Sequence, residues 1–163
     1  MAYAKLAGMV VVSTAVMYVL MYLNTYALDH VWFSQNRLWM ALIMGAVMAP
    51  IMMLFMRDMY KDRRANLAVF GISALVFVSS LWLVRSQALV DDVAYMEAMI
   101  PHHSIAILTS TQAHIRDPRV RDLADGIIEA QVREIGEMED LIVALRVQPV
   151  PPGSPDLPPR PAQ

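Results

Sequence analysis

The stretch Leu38-Trp39-Met40-Ala41-Leu42-Ile43-Met44-Gly45-Ala46-Val47-Met48-Ala49-Pro50-Ile51-Met52-Met53-Leu54-Phe55-Met56 holds no charged residue in nineteen positions. Its length matches the roughly 17–25 residues an α-helix needs to cross a bilayer. Two further uncharged apolar runs flank it, Leu6 to Leu28 before and Leu67 to Val84 after. Together they predict an all-α chain whose front, residues 1–85, is a membrane region of three transmembrane helices. The first run exceeds the apolar core of a signal peptide, about 7–15 residues, and no small-x-small cleavage pattern follows it, so it reads as a retained anchor. Tyr22, Tyr26, Trp32, Trp39, Tyr60 and Trp82 fall near the run ends, where amphipathic rings favour the headgroup zone.

Composition agrees. Of 163 residues, 57% are hydrophobic, above the roughly 45–50% of soluble proteins. Residues 1–85 carry seven Lys/Arg and three Asp/Glu, whereas residues 86–163 carry six and twelve. An acidic second half argues against nucleic acid as a partner, because phosphate recognition begins with positive charge. The chain has no cysteine and fourteen methionines, which removes disulfides and thiolate sites and leaves thioethers as the only soft sulfur.

Lys5 precedes the first run, and Arg57, Lys61, Arg63 and Arg64 follow the second; the intervening loop offers only Arg37. Positive charge favours the cytoplasmic side. The amino terminus and second loop are therefore expected in the cytoplasm and everything after Val84 outside it, in a multi-pass protein of a bacterial inner membrane with a periplasmic C-terminal domain.

Beyond Arg85 the pattern turns amphipathic. Residues 86–147 read as a helical hairpin, with helices from about Asp91 to His114 and from Pro118 to about Arg146. Asp117-Pro118 marks the second start, since Asp accepts from free amides and Pro gives up a donor that had no partner. Residues 148–163 hold seven of the ten prolines and read as an extended, disordered tail. A sixty-residue hairpin is marginal alone. It should pack on the membrane helices or on a second copy, and a homodimer forming a four-helix bundle is the favoured homo-oligomer.

On a helical wheel, Met96, Met99, His102 and His103 share one sector about 120° wide. Pro101 among them removes a backbone donor and favours a kink. On the second helix, Gln131 and Met138 interrupt the apolar stripe with Glu134 at its edge, and buried polar groups need partners. Folding about residues 116 and 117 sets His103 opposite Gln131, Met99 opposite Glu134 and Met96 opposite Met138. Thioether with imidazole suits Cu(I), so the candidate ligands are Met96, Met99, His102, His103, Glu134 and Met138, with Gln131 beside them. Glu134 has a second reading as acceptor for an imidazole N–H. Ordinary core packing is the competing reading for each methionine, and interhelical polar capping for Gln131 and Glu134.

The run Met99-Ile100-Pro101-His102-His103-Ser104-Ile105-Ala106-Ile107, followed by Asp117-Pro118-Arg119-Val120, Leu123-Ala124, Ile127-Ile128 and Gln131-x-x-Glu134-Ile135-x-x-Met138, closely resembles the domain of unknown function (DUF) family 305. Tyr22-Leu23-Asn24, Asp29-His30 and Trp39-Met40 look like the family's membrane-anchored branch. The resemblance implies a ferritin-like helical bundle, association with copper or silver resistance, and metal ligation by Met and His. Many soluble members carry further Met/His motifs that this chain lacks, so a high-capacity copper store is not expected.

The function expected is a membrane-anchored protein that binds copper for resistance, sequestration or transfer, its partners being the metal ion and the lipid bilayer, with no organic cofactor. A structural or interaction subunit without metal is the alternative, and a copper-dependent oxidoreductase a weaker one. Motifs for catalysis are missing: Glu97 has Ile100 where a di-iron Glu-x-x-His would place histidine, and neither HExxH nor a nucleophile elbow occurs. Met40, Met44, Met48, Met52 and Met56 are spaced by four, a row that drifts about 40° per step and reads as apolar filler in lipid rather than as the alternative, a relay for Cu(I) through the membrane. Pro50 reads as a kink and His114 as a surface residue near the turn. A hairpin helix running straight on from the third span would hold Met99 about 22 Å above Val84, too far to share a ligand with His30.

Overall fold

The computed structural model describes residues 2–159 and is all-α, with five α-helices and no strand among the described residues. The helices are α1 (Ala2–Leu20), α2 (Gln35–Phe55), α3 (Arg63–Ser86), α4 (Asp92–Gln112) and α5 (Pro118–Val147). The first three are long and apolar enough to cross a membrane.

α1 stops at Leu20, eight residues short of the apolar run. Its end tightens into i→i+3 bonds, Tyr22 N–H to Val19 and Leu23 N–H to Leu20, and Thr25 Oγ1 donates to the Tyr22 carbonyl. These local bonds compete with the helical ladder. The released segment becomes a loop over the end of the bundle. Its return is fixed at Ser34, a buried N-cap that accepts from Arg37 N–H, while Ser34 N–H donates to the Tyr22 hydroxyl.

α2 lies between α1 and α3 and presents small buried residues, Ala41, Gly45, Ala46 and Ala49, to its neighbours. Small side chains let helices approach where lipid supplies no hydrophobic drive for association. At Gly45 the approach is closest, since a Cβ there would collide with Thr14 Oγ1. Pro50 is accommodated inside α2.

One end of the bundle is closed by Leu6, Met53 and Tyr60, with Tyr3 OH donating to Asn66 Oδ1 at 2.8 Å and Asn66 Nδ2 to the Tyr60 carbonyl. The start of α1 and the second loop thus share that end, and Lys5, Arg57, Lys61, Arg63 and Arg64 belong to the same segments. The first loop and the hairpin share the other end.

α4 is not a continuation of α3. Gln87 adopts the left-handed conformation at φ 53°, its N–H bonded to Leu83 and its side chain to the Val84 carbonyl, which ends α3. The chain turns through Leu89 and Val90, and Asp91 caps α4 by accepting from Ala94 N–H. The break corrects the straight-helix geometry: α4 lies down on the first loop and the start of α2. Ser104, with no exposed surface, accepts Tyr26 N–H at 2.7 Å and shares a hydrogen bond of 2.9 Å with His30 Nδ1.

α4 and α5 pair as an antiparallel hairpin around Met96, Ile100, Ile107, Ile135, Met138 and Ile142, with Trp32 of the first loop packed against the same cluster. Asp117 caps α5 and Pro118 begins it. Glu97 and Arg146 close the open end at 2.7 Å, the guanidinium lying 5.7 Å from the centre of the Trp32 ring. Residues 148–159 follow as an exposed, non-helical segment; the part of the proline-rich tail from 160 to 163 lies outside the described residues.

Candidate metal site

Pro101 is buried within α4 and the helix continues through it, so Met99, His102 and His103 keep their helical spacing. The two neighbouring histidines nevertheless serve different surroundings. Their ring centres are 6.2 Å apart with planes inclined by 60°. His103 turns to α5, where Nδ1 lies 3.2 Å from Glu134 Oε2 with its side chain only 13% exposed. The α5 side chain that His103 meets is thus Glu134 rather than the expected Gln131.

That contact is close without being a hydrogen bond, because the two groups are misaligned and buried His103 Nδ1 has no hydrogen-bond partner. Burial pushes the His103 imidazole below its usual value of 6.5; the Glu134 carboxylate opposes this and His102 adds to it. A neutral imidazole with a free ring nitrogen is the form that binds metals. Two donors each about 2.0–2.1 Å from one tetrahedral ion stand about 3.3 Å apart, close to the observed gap. The residues present therefore fit an ion held between His103 and Glu134.

Met96 and Met138 are 6% and 9% exposed and belong to the isoleucine-lined core; Met99 packs against its edge. His102 is exposed and, with Met99, lines a cavity of about 340 Å³ against the start of α2. Gln131 is half-buried on α5, and His114 is exposed beyond the end of α4. Among the described residues no three of His, Cys, Asp and Glu gather within reach of one ion.

Patterning of the hairpin alone missed three contributors. His30 meets Ser104, beside His103 in sequence. Arg37 donates to the Met21 carbonyl at 2.7 Å and to that of Pro101 at 3.4 Å, with its guanidinium 4.2 Å from the centre of the Tyr22 ring. Met40 lines the cavity that holds Met99 and His102. Each comes from the membrane region, where Asp29-His30 and Trp39-Met40 stood out through the resemblance and Arg37 only as the basic residue of the first loop.

Residues 92–157 match the family described as a domain of unknown function, DUF305. The chain belongs to the DUF305 family. A relative, an uncharacterized protein of Acanthamoeba polyphaga mimivirus, is 31% identical over 115 residues, covering 69% of this chain and 74% of the viral protein. That alignment is longer than everything from Asp92 to Gln163, so the likeness of this DUF305 protein to its relative reaches back into the helices before the hairpin. No solved structure matches.

Proposed function

We propose that this chain is a membrane-anchored metal-binding protein that takes up Cu(I) through Met and His of its hairpin, for resistance, sequestration or transfer. The observation that carries the reading is His103 Nδ1, buried, without a hydrogen-bond partner, and 3.2 Å from Glu134. A buried nitrogen left this way costs about 1–3 kcal/mol unless something binds it, and a cation is the partner that also satisfies the carboxylate. Met96 and Met138 lie in the seam between the same two helices, and Met99 and His102 are further soft donors on the side of α4 that faces α2. Thioether and imidazole together select a soft ion such as Cu(I). The basic residues at the opposite end of the bundle favour a hairpin lying outside the cytoplasm. A second copy laid against the hairpin to complete a ferritin-like four-helix bundle belongs to the same proposal.

A metal-free structural subunit is the second reading, favoured by the burial of Met96 and Met138 among four isoleucines. An anaerobic Cu(I) competition titration of the full-length protein in detergent separates the two, run beside His102→Ala/His103→Ala and repeated with Zn(II). Saturable Cu(I) binding lost in the variant is the expected result. Equal, weak binding by both proteins, with folding unchanged, returns the histidines to a packing role.

A further inference from the structure

The cavity between α4 and the start of α2 brings together three soft donors from two parts of the chain: Met40 of α2 with Met99 and His102 of α4. Met40 stands in the second turn of α2, 40% exposed, at the hairpin end of the methionine row that runs down that helix. We infer that this cavity is a second soft-cation site, separate from the His103–Glu134 seam and joining the hairpin to the membrane region. It deepens the copper reading above by adding a position that no hairpin residue set contains.

The lining decides the class of ion. Among the described residues no carboxylate borders the cavity, so a divalent ion would enter with nothing there to neutralise it, a heavy cost away from bulk water. A monovalent soft ion, Cu(I) or Ag(I), needs less compensation and prefers thioether and imidazole. Arg37 is the one fixed cation at the wall. Its charge is spread over the Met21 and Pro101 carbonyls and the Tyr22 ring, which makes the cavity tolerable for one positive charge and hostile to two. Gln35 also lines the cavity.

The site differs from the seam in what it does. The seam carries a carboxylate and lies inside the hairpin, suited to retention; the junction cavity is neutral in its ligands and partly open, suited to exchange with the membrane region.

The test uses the full-length protein in detergent, anaerobic titration with Ag(I) and with Cu(I), and X-ray absorption at the metal edge to count sulfur ligands. Met40→Leu conserves volume at a half-exposed position, Met44→Leu is the matched control one turn away, and His103→Ala removes the seam. Loss of a metal ion is worth at least about tenfold in affinity when a ligand goes, since even outer-shell partners cost that much. The expected result is that Met40→Leu weakens one Ag(I) or Cu(I) equivalent about tenfold or more and lowers the sulfur count, with Met44→Leu unchanged and that equivalent retained in His103→Ala. Wild-type binding that survives Met40→Leu and disappears in His103→Ala overturns the junction site and leaves the seam standing. Binding lost only in Met40→Leu keeps the junction and removes the seam. Binding unaltered by either, or no binding by the wild type, overturns both. His102→Gln, on the exposed side of α4, repeats the loss independently should Met40→Leu fail to fold.

Discussion

Replacing Ser104 by alanine isolates what holds the hairpin on the membrane region. Ser104 Oγ of α4 meets two groups of the first loop, Tyr26 N–H and His30 Nδ1, and has no exposed surface. Alanine fills nearly the same volume, so the change is chemical rather than steric. Tyr26 is half exposed, and water can replace its partner; His30 has 16% of its side chain exposed and is less easily rescued. One buried polar group left unsatisfied costs about 1–3 kcal/mol, so opening of the loop should become about 5- to 150-fold more frequent. Hydrogen exchange resolved by mass spectrometry on the peptide spanning residues 21–34 reads this directly. Protection should fall there and persist in α1 and α2. Thr111→Val is the control, because Thr111 Oγ1 donates only within its own helix, to Ile107. Unchanged protection in Ser104→Ala would refute the idea that this hydroxyl, rather than the Trp32 packing or the Arg37 contacts, latches the loop to α4.

Acidification should destabilise the metal-free hairpin through His103. Its folded-state value lies below the usual 6.5, so the unfolded chain takes up the proton first; the contribution is complete above about pH 6.5 and lost as pH falls through the folded value. Thermal melts at pH 7.5 and pH 5 should show the lower midpoint in acid, and NMR titration of Glu134→Gln should move His103 lower still, since the carboxylate is what holds it up. Ile142→Ala, at a side chain with no exposed surface, should cost about 2–5 kcal/mol, seen as rapid proteolysis within α4 and α5 while the membrane helices stay intact. Gly45→Ala should loosen α1 from α2 by about 1–3 kcal/mol, because Thr14 is β-branched and has little rotamer freedom to move aside; cross-linking between cysteines placed on the two helices should fall, with α2–α3 cross-links unchanged.

The sequence by itself determined the inventory. Uncharged runs of bilayer length gave three apolar helices, since every buried backbone group must be satisfied within its own segment, and the amphipathic pattern with the Asp117-Pro118 start located the hairpin helices to within about two residues. The Met99 to His103 run identified the family, and the wheel placed its donors within one sector. Tertiary structure decided which donors meet. A left-handed Gln87 turned α4 off the axis of α3, a single dihedral choice that periodicity does not encode, and this brought His30, Arg37 and Met40 to the hairpin from more than sixty residues away in sequence. The partner of His103 was equally illegible, because Gln131 and Glu134 lie about one turn apart on α5 and pattern alone does not choose between them. Local pattern fixes which face of a helix is apolar; the break between helices and the packing of bulky side chains fix what that face touches.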